Sequence, residues 1–117
     1  MMKPVYICAP LGGTPKEIER NIDNARIYSE YALQCGCLPL TPHFFALILD
    51  GNVPEERELG RKAGLNMLLI SQELWIFGQD VTKGMQIEID YCKTVNKKIK
   101  KIKNGEIKKK LGGKRIT

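Results

Sequence analysis

Short apolar stretches rich in β-forming residues alternate along this chain with longer segments whose apolar residues repeat at helical spacing. The stretches lie at residues 4–10, 37–43 and 73–78, and each is followed by a polar loop and a helical segment. Strands that alternate with helices predict a parallel sheet with right-handed crossovers. We therefore expect an α/β fold, a single-domain three-layer sandwich of the flavodoxin or Rossmann type, with a mostly parallel sheet of four or five strands.

Residues typical of helix ends mark the helices between these strands. Thr14 and Glu17 form the pattern of a capping box, and Gly36 ends the first helix. A second helix is predicted from about residue 54 to residue 70, and a third over residues 84–96.

Charge divides the chain into two unequal parts. Residues 1–95 carry nine basic and twelve acidic side chains, whereas residues 96–117 carry ten basic and one acidic. We assign residues 1–103 to the α/β domain and residues 104–117 to a basic C-terminal extension. Asn-Gly between Ile102 and Ile107 predicts a hairpin there. A lysine run is usually solvated surface, so we do not expect nucleic acid as the partner.

The same sequence argues against several classes of protein. No segment is apolar for long enough to cross a bilayer, and the N-terminus lacks a signal pattern, so we expect a cytoplasmic protein with no membrane partner. Cys35 and Cys37 form a lone C-x-C, and the chain has one histidine. Because zinc sites need about four ligands, we expect no metal. Cys8 and Cys92 are predicted to be small core residues.

Ligands of open parallel sheets bind outside the carboxyl ends of the strands. Gly12 and Gly13 precede the capped helix, where backbone N–H groups and the helix dipole favour an anion; a turn that requires glycine is the alternative. His43 follows the second strand and either bonds a ligand or caps a loop. Phe44 either borders a base or belongs to the core.

Glu88 lies on the flank of an apolar stripe formed by Met85, Ile89 and Cys92. The dipole of the third helix favours its carboxylate form. An ionised glutamate in a cleft suits a nucleophile at an electrophilic sugar carbon or an acceptor for sugar hydroxyls. A solvated helix glutamate is the alternative.

Three segments, "VYICAPLGG", "LPLTPH" and "GQDVTKGMQIEIDYCK", resemble in this order the nucleoside 2-deoxyribosyltransferase superfamily. The resemblance covers about residues 4–103. It implies that Glu88 is the nucleophile of the family's G-(x)3-E element, which begins at Gly84. It also implies that Tyr6 on the first strand supports this carboxylate.

Departures from the family pattern refine the resemblance. Thr82 stands where transferases carry an aspartate. A hydroxyl residue at this position is similar to the branch that hydrolyses deoxynucleoside 5′-monophosphates. Leu11 replaces the arginine usual in that branch, and Leu65 replaces a carboxylate that faces the sugar, with Asn66 beside it. The pattern as a whole is closest to a poorly characterised phage and bacterial subgroup.

The resemblance implies an enzyme that hydrolyses or transfers across a nucleotide N-glycosidic bond, with no cofactor and as a homo-oligomer. The alternative is a non-catalytic binder of a nucleotide or an NAD-derived signal on the same fold. The expected catalytic residues are Glu88 and Tyr6. The expected substrate-binding residues are Gly12, Gly13, Thr14, His43, Phe44, Asn66, Asp80, Thr82, Gly84 and Met85.

Overall fold

A computed structural model describes residues 1–112 of the chain. Its strands are β1 (Lys3–Cys8), β2 (Cys37–Leu40), β3 (Glu73–Ile76) and β4 (Lys98–Lys101). Its α-helices are α1 (Pro15–Gln34), α2 (Pro54–Ile70), α3 (Lys83–Thr94) and α4 (Asn104–Leu111), and a 3₁₀ helix spans Pro42–Leu47.

The four strands form one parallel sheet in the order β2-β1-β3-β4. The predicted α/β fold and the predicted second helix are confirmed. The connection from β1 runs to one side of the sheet and the connection from β3 to the other. The carboxyl ends of β1 and β3 therefore flank the topological switch point, where open α/β sheets bind ligands.

Helices cover both faces of the sheet and give two cores. On one face Tyr28 and Tyr31 of α1 and Ile107 of α4 pack with Trp75 and Phe77; we call this cluster the α1-side core. On the other face, Tyr6 and Cys8 of β1 pack against α2 and α3, with Leu68, Met85, Ile89 and Cys92 in the same cluster, which we call the α3-side core. Two residues of one strand that are two apart share a face, so Tyr6 and Cys8 both point toward α3.

The predicted hairpin around Asn-Gly is wrong. The chain leaves β4 and forms α4, which begins at Asn104. Ile107 is fully buried in the core beneath α1, and Leu111, one helical turn later, packs against the same cluster. This i, i+4 pair suits a helix that covers the sheet, whereas an antiparallel strand would extend the exposed edge of β4.

The predicted boundary between the α/β domain and the basic extension at residue 103 stays a prediction, although Ile107 of the extension belongs to the α1-side core. Residues 113–117, the rest of the predicted basic extension, lie outside the described residues. Within residues 1–112, no helix combines the length and the apolar character that a membrane span requires.

Lys97 joins two elements by holding the C-terminal carbonyls of α2. Its Nζ donates to the carbonyl oxygens of Leu68 at 2.8 Å and Ser71 at 2.5 Å. A cation at this end of a helix also interacts favourably with the helix dipole.

We expect Lys97→Met to lower the free energy of unfolding by about 1.5–3 kcal/mol, because hydrogen bonds from a charged donor are lost. Urea denaturation measures the change. Lys98→Met, at the exposed neighbouring position, is the control and should change stability by less than about 0.5 kcal/mol. Equal effects of the two substitutions would contradict the capping role of Lys97.

Candidate active site

The carboxylate of Glu88 is the centre of the candidate site. Glu88 is the sixth residue of α3 and is half-buried at the end of the α3-side core. The Tyr6 hydroxyl donates a hydrogen bond to its Oε2. The Cys8 thiol approaches its Oε1, with Sγ at 3.5 Å. Two neutral donors on one strand thus hold the two oxygens of one carboxylate.

Burial dominates the electrostatics of this group. Desolvation raises the pKa of Glu88, and the hydrogen bonds from Tyr6 and Cys8 oppose this increase without cancelling it. Burial and the nearby carboxylate also raise the pKa values of Tyr6 and Cys8, so both remain protonated donors at neutral pH. Within residues 1–112, no cationic side chain forms an ion pair with Glu88.

The dipole of α3 therefore does not decide the protonation of Glu88, because burial of the charge has the larger and opposite effect. An ionised Glu88 is held by neutral donors in a largely apolar setting, where it is poorly solvated. A poorly solvated carboxylate with a raised pKa is typical of functional sites, although structural networks also produce it.

Cys8 is a site residue that sequence reasoning missed. We predicted only a small core residue there, and its side chain is indeed fully buried. The missed signal is the two-residue period of β1: a tyrosine that faces Glu88 implies that the residue two positions later faces it too.

The glycine loop after β1 is partly filled by the protein itself. The predicted capping box is present: Thr14 N–H donates to Glu17 Oε1 at 3.0 Å, and Glu17 N–H donates to Thr14 Oγ1 at 3.2 Å. Gly13 has φ +126°, and a Cβ there would lie 3.0 Å from the Glu17 side chain. A phosphate at the N-terminus of α1 would have to displace the Glu17 carboxylate.

The start of α3 differs, because its third residue is the neutral Met85, whereas the third residue of α1 is Glu17. Thr82 accepts a hydrogen bond from Met85 N–H at 3.2 Å, and Gly84 is exposed in the first turn. The side chain of Met85 is 2% exposed and lies in the α3-side core. Thr82 and Gly84 are thus surface residues two turns or less before Glu88, whereas Met85 packs beneath them.

His43 links the 3₁₀ helix to the loop after β1. It is buried, and Nε2 donates to the Pro10 carbonyl at 2.9 Å, which makes Nδ1 the unprotonated nitrogen. Burial lowers its pKa, so the ring is neutral. Nδ1 has no hydrogen-bond partner among the described residues. The neighbouring Phe44 is 54% exposed and packs edge-on against Phe45.

The other two predicted residues are Asp80 and Asn66. Asp80 lines a cavity of about 410 Å³ between the β3–α3 loop and α1, to which Glu88 does not contribute. Asn66 is exposed on α2, and Leu65 beside it is 43% exposed. Among residues 1–112, no group of three or more His, Cys, Asp or Glu side chains is arranged to hold a metal ion.

The chain belongs to the family described as "Domain of unknown function (DUF7768)", whose model matches residues 3–102. The match spans β1 to the residue after β4, and so includes Tyr6, Cys8 and Glu88. No curated protein matches the chain.

Proposed function

We propose that the protein acts at the N-glycosidic bond of a nucleotide, either hydrolysing it or transferring the sugar. Glu88 is the group that meets the sugar carbon C1′. Its ionised carboxylate attacks C1′, or stabilises positive charge there, as the base departs with the bonding electron pair. Water or a second base then takes the sugar, and no cofactor is needed.

The observation that carries this proposal is the carboxylate held jointly by Tyr6 and Cys8. Both donors come from one rigid strand, so they fix the position of both carboxylate oxygens. An apolar environment with no cationic partner among residues 1–112 leaves the charge poorly stabilised in the free protein. An electrophilic sugar carbon would supply the missing positive charge, which favours the transition state over the resting site.

The start of α3 supports a phosphate-bearing substrate. Thr82 and Gly84 are exposed at the N-terminus of this helix, where backbone N–H groups favour anions. Glu88 lies on the same helix, so a phosphate bound there would place its sugar within reach of the carboxylate. The N-terminus of α1 is less suited, because Glu17 already occupies it. His43 and Phe44 then border the base.

A non-catalytic nucleotide binder is the second candidate, and Leu65 favours it. The family resemblance implies a carboxylate at this position that fixes the sugar, whereas Leu65 is apolar. Asn66 beside it can form hydrogen bonds but cannot supply the charge. A binder would use the same cleft without cleaving the bond.

We also propose that a second copy of the chain covers the outer face of α2, in line with the homo-oligomers that the resemblance implies. Contiguous exposed apolar side chains mark interaction surfaces. Those on α2 and the 3₁₀ helix are between 43% and 67% exposed: Phe44, Leu47, Leu59, Leu65, Leu69 and Ile70. Light scattering should report a dimer or larger assembly, and Leu69→Glu should dissociate it. A monomeric wild type would contradict this part of the proposal.

The test of function is incubation of the purified protein with a panel of ribo- and deoxynucleoside 5′-monophosphates, followed by chromatography of the free bases. We expect time-dependent release from at least one member. A panel that stays intact over hours while one member binds tightly would establish the binder instead.

A further inference from the structure

A concavity lies across the sheet from Glu88, on the side covered by α1 and α4. Its chamber, of about 410 Å³, is bounded by α1, the loop after β3 and the start of α4. An adjoining depression of about 290 Å³ shares Gly78, Gln79 and Asn104 with it. We call the two together the α1–α4 groove.

The chamber and the depression of the groove differ in their lining residues. Polar side chains that donate and accept hydrogen bonds line the chamber: Arg20, Asn21, Asn24, Gln79, Asp80 and Asn104. Lys101 and Lys103 line only the depression, whereas Arg20 and Asp80, which are of opposite charge, line only the chamber. Lys101 is oriented along this wall, with Nζ 3.5 Å from the Gly78 carbonyl.

The chamber suits a polyol better than an aromatic base. Stacking a base needs a free ring face, but Tyr28, the aromatic residue at this wall, is 3% exposed. Its ring is stacked on Phe77, with centroids 4.5 Å apart. Amide, carboxylate and guanidinium groups, by contrast, supply the paired donors and acceptors that adjacent hydroxyls require.

The depression suits an anion. Lys101 and Lys103 provide two positive charges, and α4 begins there without a side-chain cap. Its first backbone N–H groups add to the positive field at that end. From the cavity, the mixed polar lining of its chamber and the two lysines of its depression, we infer that the α1–α4 groove binds a phosphorylated polyol, with the phosphate on Lys101 and Lys103 and the hydroxyl groups in the chamber.

This site is separate from the proposed glycosidic chemistry. Tyr6, which donates a hydrogen bond to Glu88, belongs to the α3-side core, whereas Tyr28 belongs to the α1-side core. The two sites share the segment from Gly78 to Thr82, which lines the groove at one end and caps α3 at the other. The inference holds whether or not the protein releases bases.

Titration of the ¹⁵N-labelled full chain with ribose 5-phosphate tests the inference. We expect saturable shifts of backbone signals from Arg20 to Asn24, Gly78 to Asp80 and Lys101 to Gly105. The Lys101→Met/Lys103→Met double variant should weaken ribose 5-phosphate binding about tenfold, because two charge-assisted contacts are lost. Lys109→Met, an exposed lysine on α4, is the control and should leave affinity unchanged.

Parallel titrations identify what is recognised and where. Ribose and inorganic phosphate should each bind the groove more weakly than ribose 5-phosphate, and the shifts of the groove signals should persist in Glu88→Gln. Equal affinity for inorganic phosphate would contradict recognition of the polyol. Three results would each overturn the inference: shifts confined to α3, loss of the groove shifts in Glu88→Gln, or no shifts at all. The last applies at about 10 mM ribose 5-phosphate, a concentration at which a Kd in the millimolar range would still give visible shifts.

Discussion

Glu88→Gln is expected to unfold at a temperature a few degrees higher than wild type at pH 8, and at the same temperature near pH 4. The wild-type fold must hold a poorly solvated carboxylate at high pH, whereas the amide is neutral at every pH. Its oxygen still accepts the hydrogen bond from the Tyr6 hydroxyl. For a domain of this size, a few degrees correspond to roughly 1 kcal/mol.

The sign follows from the direction of the pKa shift. Burial raises the pKa of Glu88 in the folded state above its ordinary value of 4.5. Below that value Glu88 is protonated in both the folded and the unfolded state, and its contribution to stability is fully present. This contribution is lost as the pH rises through the folded-state pKa. His43 contributes the opposite trend, since its pKa is lowered and its protonation at low pH destabilises the fold. That trend is common to both proteins and cancels in their difference.

Calorimetric scans of both proteins between pH 4 and pH 8 measure this difference. Asp90→Asn is the matched control, because Asp90 is an exposed carboxylate on the same helix. A difference between Glu88→Gln and wild type that is constant with pH, or that grows toward pH 4, would contradict a raised pKa.

Tyr6→Phe is expected to lower the rate of base release about 10- to 100-fold and to move the acid limb of its pH profile to higher pH. The Tyr6 hydroxyl lowers the pKa of Glu88 by hydrogen bonding to its charged form. Without it, a larger fraction of Glu88 is protonated at neutral pH and the remaining carboxylate is less well oriented. One hydrogen bond to a charged group is worth about 1.5–3 kcal/mol.

The pH profile separates this role from a merely structural one. A packing defect would lower the rate equally at all pH values, whereas loss of the Tyr6 donor makes the defect smallest at high pH. Cys8→Ser serves as a comparison that keeps a donor near Oε1. An acid limb that is unchanged in Tyr6→Phe would contradict the role of Tyr6 in lowering the pKa of Glu88.

Patterns local in sequence predicted most of the fold. The alternation of β-rich and helical segments predicted the parallel sheet, and the Thr14–Glu17 capping box predicted the start of α1. The region after β4 was predicted wrongly because an Asn-Gly pair permits a turn or a helix start equally well. Only the packing of Ile107 and Leu111 beneath α1 decides between them, and that contact is not local in sequence.

Glu88 and Tyr6 could be predicted from the sequence, whereas the environment of the Glu88 carboxylate could not. Helical spacing and the family resemblance selected Glu88, and the resemblance paired it with Tyr6. The pKa of Glu88 could not be predicted, because it depends on the burial that two distant elements create together. The same applies to the α1–α4 groove, whose walls come from three separate segments of the chain.

We propose that the Glu88 carboxylate acts at the sugar carbon of a nucleotide. The most direct measurement compares free base released by wild type, Glu88→Gln and Asp90→Asn from the same panel of nucleoside 5′-monophosphates. Our account predicts release by wild type and Asp90→Asn, and a loss of about 10³-fold or more in Glu88→Gln, as expected when a nucleophile is removed. Undiminished release by Glu88→Gln, or no release by any of the three proteins, would contradict it.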